Sequence, residues 1–92
     1  MIECEVRIVN RLGLHARAAA RLVRTASCFR SAVRLERADR QGSADAKSIL
    51  SVLVLAAGRG TELKVMADGA DERAALDAVC ELISSGFGET EE

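Results

Sequence analysis

Residues 3–9 alternate between apolar and polar side chains, with Cys4, Val6 and Ile8 on one face and Glu3, Glu5 and Arg7 on the other. A period of two is that of a half-buried strand. Residues 10–13 read as a turn, and the period then lengthens. Ala16, Ala19, Ala20, Val23 and Ala26 recur at helical spacing while Arg17, Arg21 and Arg24 line the opposite face, which predicts a helix from just after His15 to near Cys28. Val33 and Leu35 alternate with Arg34 and Glu36, a second strand, and residues 38–42 supply a hairpin turn closed by Gly42. Residues 41–46 then form a polar strand of weak propensity. The apolar run that follows Lys47 and Ser48, residues 49–55, suits a short helix capped by Ser48, with a strand as the alternative. Gly58 and Gly60 break the chain before residues 61–67, where Leu63 and Val65 point inward and Glu62 and Lys64 outward.

The last periodic segment is a helix. Asp71 and Glu72 place negative charge in its first turn, where the backbone dipole favours it. Ala75, Val79, Leu82 and Ile83 make its buried stripe, and Gly86 stops it. The order strand, helix, two strands, short helix, strand, helix predicts an α+β fold, with helices covering one face of a mainly antiparallel sheet. One domain over residues 1–88 is expected, with 89–92 as a flexible acidic tail.

Composition narrows the classes. The chain has 92 residues, 49% apolar and 29% charged, as a folded globular domain has. It lacks an apolar run of about eighteen residues, and its first residues lack the basic-then-apolar plan of a secretory signal, so a cytoplasmic protein is expected. Cys4, Cys28 and Cys80 are widely spaced and form no CxxC pair; with a single histidine, no zinc site is expected. They are read as three small buried apolar side chains in a reducing compartment. Net charge is −1, but residues 1–64 hold twelve Lys/Arg against six Asp/Glu, and residues 65–92 one Arg against eight acids. Such an asymmetry gives an oriented surface. Nucleic acid could exploit the basic part, but no aromatic or glycine-rich recognition signature accompanies it, and an acidic protein partner fits equally well.

His15 is the one histidine, between Gly13-Leu14 and a helix whose first turn carries Arg17. The first N–H groups of a helix lack intrahelical partners and attract negative charge. A phosphoryl group on the imidazole would sit where those donors and a guanidinium bind its oxygens. The same positive end favours the neutral ring, leaving a nitrogen free as nucleophile. Gly13 would let a partner's backbone come close. Taken alone, these features fit an ordinary turn histidine as well as they fit a phosphoryl acceptor.

The segment Gly13-Leu14-His15-Ala16-Arg17-Ala18-Ala19 resembles the active-site segment of the HPr family, the histidine-containing phosphocarriers of the bacterial phosphoenolpyruvate-dependent sugar phosphotransferase system. Lys47-Ser48-Ile49-Leu50-Ser51-Val52-Leu53 resembles that family's regulatory-serine segment, and Gly69-Ala70-Asp71-Glu72 its third landmark. The resemblance implies an open-faced sandwich, a four-stranded antiparallel sheet covered on one face by three helices. It implies that enzyme I phosphorylates Nδ1 of His15, that Arg17 neutralises the phosphoryl oxygens, and that an EIIA domain receives the group. Ser48 matches the serine modified by HPr kinase/phosphorylase, with a transcriptional regulator as a further partner; as a simple helix cap it needs neither. Ile49, Leu50 and Leu53 would form a docking patch ringed by Arg17, Arg21 and Arg24, at least one of the three apolar residues exposed and one buried. The chain would be a covalent carrier rather than an enzyme, monomeric, without cofactor, metal or membrane insertion. The alternative is a nitrogen-branch or regulatory relative acting as a phosphorylation-dependent binding module. Ala18 departs from the family's proline, which costs rigidity in the first turn rather than chemistry.

Overall fold

Alternating strands leave one face of a sheet apolar, and two amphipathic helices with a short third one cover it. The structure, a computed structural model, describes residues 1–89. Strand β1 (Ile2–Arg7) leads to helix α1 (Ala16–Ser27), strands β2 (Ala32–Arg37) and β3 (Ser43–Asp45), helix α2 (Ile49–Leu55), strand β4 (Glu62–Asp68) and helix α3 (Glu72–Ser84). The sheet order is β1-β4-β2-β3, antiparallel throughout. Cys4 and Leu35 both stand opposite Val65, which sets the inward rows Ile2-Cys4-Val6, Leu63-Val65-Ala67 and Val33-Leu35 in register. The other face is polar and solvated, as an antiparallel sheet allows. α3 packs across β1 and β4, α1 packs on α3, and α2 packs on α1.

The elements follow the expected order, with adjustments in which side chains go inside. In α1 the buried stripe is Ala18, Ala19, Leu22 and Ala26, so Ala16 turns out to solvent while the arginines keep the outer face. In α3 Leu76 is buried where Leu82 was expected, and Leu82 lies at the rim. Asp71 does not cap α3 through its side chain. Its carboxylate instead accepts from the Ser31 hydroxyl (2.5 Å), the Ser31 N–H (2.9 Å) and the Arg30 N–H (2.9 Å), tying the start of α3 to the α1–β2 turn. The Ser31 hydroxyl first and the Arg30 N–H next hold its pKa down to about 2.

The cysteine expectation is corrected. Cys28 is exposed, and Cys4 of β1 is joined to Cys80 of α3 by a disulfide. Cys4 faces inward on an edge strand, and α3 lays Cys80 over that face; a sequence separation of 76 hides the meeting. A cross-link closing so long a loop is worth about 4.5 kcal/mol in the chain-entropy model. Its Cα atoms stand 7.4 Å apart, wider than the usual range of about 4.4–6.8 Å, and strain offsets part of that gain. Reduction is therefore expected to lower stability by about 2–3 kcal/mol, read as a lower urea midpoint with reductant than without. Equal midpoints, or three titratable thiols in the unreduced protein, would refute the cross-link.

Candidate functional site

The turn before α1 is built by backbone geometry that only certain residues tolerate. Gly13 has φ of 65°, and a Cβ there would stand 2.6 Å from the Ala57 carbonyl oxygen and 2.7 Å from Gly58 Cα. The close approach that the glycine permits is thus made by the chain's own α2–β4 connection, not by a partner. The Leu14 N–H donates to that same Ala57 oxygen at 2.9 Å, so the loop carrying His15 is pinned to the end of α2. Gly13→Ala combines a left-handed backbone with a steric clash, and a loss of about 2–3 kcal/mol is expected. A thermal melt within a degree or two of the parent would show that the two loops separate freely.

His15 is the N-cap of α1, in extended conformation with φ −75° and ψ 178°. Its N–H donates to Gly13 O (2.9 Å) and its carbonyl accepts from Ala19 N–H (2.8 Å). The ring makes no capping hydrogen bond, and no acidic residue occupies the first turn. Helix geometry leaves the N–H groups of Ala16, Arg17 and Ala18 without intrahelical acceptors. The imidazole is 27% exposed, in a shallow depression lined by Leu12, Ala16, Arg17, Arg21, Gly88 and Glu89.

Glu89 is the residue that sequence reasoning placed in a flexible tail. It is instead seated on His15, its Oε2 2.6 Å from the ring Nε2; residues 90–92 of that tail lie outside the described residues. Burial works to raise the Glu89 pKa, and hydrogen bonds from His15 and Asn10 work to lower it. The electrostatic contributions of His15 and Arg17 act in the same downward direction, and the carboxyl is held below its ordinary value. An ionised carboxylate only accepts, so Nε2 is the donor. Asn10, 2% exposed, supports the contact, its Nδ2 donating to Glu89 Oε1 (3.0 Å) and to Gly13 O (2.8 Å). Its Oδ1 is buried with no partner among the described residues.

A three-residue turn delivers Glu89. Gly86, Phe87 and Gly88 have φ of 73°, 60° and 70°, and the turn drives the fully buried Phe87 into the core. Arg21 Nη1 donates to the Phe87 carbonyl. Arg21, expected at the rim of a docking patch, thus has an acceptor within the chain as well. Two glycines flanking one of only two aromatics were the available signal for this anchor. Nothing in the sequence indicated where the following glutamate would land.

Of the remaining expected residues, Ser48, Ile49, Leu50, Leu53 and Arg24 lie outside the lining of that depression. Ser48 caps α2, its Oγ accepting from the Ser51 N–H at 3.3 Å. Ile49, Leu50 and Leu53 are 44%, 69% and 37% exposed, so the expectation that one of them is buried fails. Val52 and Leu55 anchor α2 instead, three residues apart on one helical face, which turns the others outward. Val54 and Leu12 are exposed apolar side chains as well and were not anticipated. Arg17 and Arg24 are exposed. Among the described residues no cluster of three or more His, Cys, Asp or Glu is placed to hold a metal ion, and no helix is long and apolar enough to cross a membrane.

Comparison with known proteins places this geometry. Residues 2–85 match the family model described as the PTS HPr component phosphorylation site. The phosphocarrier protein HPr of Cupriavidus necator is 47% identical over 91 residues, covering 99% of this chain and all of that one. HPr of Pseudomonas aeruginosa is 46% identical, covering 95% and 96% of the two chains. Among solved structures, HPr-C-His from Thermoanaerobacter tengcongensis superposes with a TM-score of 0.91 at 41% identity, over 99% of this chain and all of that one. An HPr dimer from the same organism gives 0.74 at 42% identity, over 97% and 100%. Matched along nearly its whole length in sequence and in fold, the chain belongs to the HPr family of phosphocarrier proteins of the phosphotransferase system.

Proposed function

We propose that His15 accepts a phosphoryl group from phosphorylated enzyme I, originally from phosphoenolpyruvate, and passes it to an EIIA domain. The observation that carries this reading is the position of the ring at an uncapped helix N-terminus beside Arg17, with no acidic residue in the first turn. Phosphoryl transfer needs positioning and charge neutralisation more than covalent chemistry from the protein. The Nδ1 lone pair forms the new N–P bond while the bond from phosphorus to its donor breaks, its electron pair leaving with the donor. The oxygens of the phosphohistidine then meet the open N–H groups of α1 and the Arg17 guanidinium. Arg21 and Arg24 would draw acidic partners to the same side, and the exposed Ile49, Leu50 and Leu53 would supply the apolar contact.

Ser48 is the proposed regulatory phosphorylation site for HPr kinase/phosphorylase, where a dianion would favour the start of α2 and repel an acidic partner. The protein would work as a cytoplasmic monomer, exposing one surface to successive partners; reducing conditions there would open the Cys4–Cys80 bond. The test is incubation with phosphoenolpyruvate and enzyme I, followed by intact-mass spectrometry. A single acid-labile phosphoryl adduct that disappears on addition of an EIIA domain is the expected result. No adduct with an active cognate enzyme I would overturn the carrier reading and leave a Ser48-centred binding module.

A further inference from the structure

Glu89 sits on the far side of the imidazole from the nitrogen that must react. Its Oε2 is 2.6 Å from Nε2, and its other oxygen is held by buried Asn10. The proton of the neutral ring is therefore on Nε2, and the lone pair is left on Nδ1. Among the described residues no hydrogen bond engages Nδ1, and His15 makes no side-chain cap. The contact also restrains the ring, which only one short turn would otherwise orient.

We propose that Glu89 is a positioning residue for phosphoryl transfer: it holds the His15 ring with Nδ1 as the nucleophile and balances the positive charge the ring gains as the N–P bond forms. The proposal rests on the carrier reading of His15. In the transfer step Nε2 keeps its proton, the Nδ1 pair becomes the new N–P bond as the bond from phosphorus to the donor breaks and its pair leaves with the donor, and the ring becomes cationic. A carboxylate already hydrogen-bonded to Nε2–H stabilises that cation without rearrangement. It lies on the opposite edge of the ring from the incoming anion, where its repulsion is weakest. The Phe87 anchor and the Asn10 bridge explain how a residue so near the end of the chain holds a fixed place.

Glu89→Gln tests this, because the amide keeps the shape but accepts and donates alike and carries no charge. The rate of acceptance from phosphorylated enzyme I, read in single turnover, is expected to fall about tenfold. That is far below the roughly 10⁴-fold cost of the comparable change behind a fully buried catalytic histidine, because Glu89 is 17% exposed and solvent screens it. Nitrogen-15 spectra of the neutral ring are expected to show the proton on Nε2 in the parent and a shift toward a tautomer mixture in the variant. Glu89→Asp, which keeps the charge, is expected to recover part of the rate. A rate within about twofold of the parent, a faster rate, or a slower rate with an unchanged ring spectrum each overturns the proposal. A parent protein that does not load at all sinks the carrier reading, whereas a variant that loads like the parent sinks the role of Glu89 alone.

Discussion

His15→Ala is expected to abolish phosphoryl acceptance from enzyme I while leaving the fold intact. The chain contains one histidine, so no other imidazole can take over the transfer. Arg17, the open N–H groups and the apolar surface all survive the substitution, and docking should persist. That makes the variant a competitor for enzyme I rather than an inert protein. Stability should fall by only about 1–2 kcal/mol, the cost of the lost ring contact with Glu89, because His15 starts α1 through its backbone carbonyl and not through its ring. Intact-mass spectrometry after incubation with phosphoenolpyruvate and enzyme I reads the loss directly. An acid-labile adduct on the variant would place the carrier site elsewhere. An acid-stable adduct formed with ATP and a kinase would instead report Ser48, and the two are told apart by donor and by lability.

Phe87→Ala is expected to cost about 3–5 kcal/mol, the range for deleting a fully buried phenyl ring. Phe87 is completely buried and closes the core where α3 meets α1. Its φ of 60° is strained for any residue other than glycine, so alanine inherits the backbone cost without the burial that offsets it. A domain of this size has a total stability of only about 5–15 kcal/mol, and the variant will be partly unfolded near its melting temperature. Urea denaturation measures the loss; less than about 1 kcal/mol would mean the ring is not the anchor described. Phe87→Leu retains most of the apolar area and should fold at room temperature. With it the second consequence can be read: a loosened turn frees Glu89, so acceptance slows as in Glu89→Gln, but here accompanied by a lower urea midpoint. Separation of the two effects distinguishes an anchor from a positioning group.

Elements governed by a local rule are legible in the sequence. Alternation in residues 3–9 and in β2 and β4 has a period that only a half-buried strand satisfies. The arginines at 17, 21 and 24 recur at the spacing of one helical face, and Ser48 before an apolar run is a local cap signal that the Ser51 N–H bears out. Features decided by two segments distant in sequence are not legible in this way. Leu50 and Leu53 are as apolar as Val52 and Leu55, and composition does not say which pair faces the core. The partner of Cys4 lies 76 residues away, beyond the reach of any spacing argument.

The same division runs through the site. His15 at the start of a helix, with Arg17 two residues on and Gly13 two before, was legible because a helix terminus is a local feature with its own charge. So were the strand and helix order, and through them a mainly antiparallel sheet with helices on one face; the family was legible through its resemblance to three short segments, residues 13–19, 47–53 and 69–72. Glu89 was not legible, since a glutamate near an acidic chain end looks solvated until Phe87 finds its cavity and Gly86 and Gly88 turn the backbone. The role of Gly13 was misassigned for the same reason, because the backbone that approaches it belongs to residues 57 and 58. Periodicity and capping are written in neighbouring residues and determine the elements. Which surfaces meet is decided by close packing among elements, and that packing alone brought Glu89 to His15 and Cys80 to Cys4.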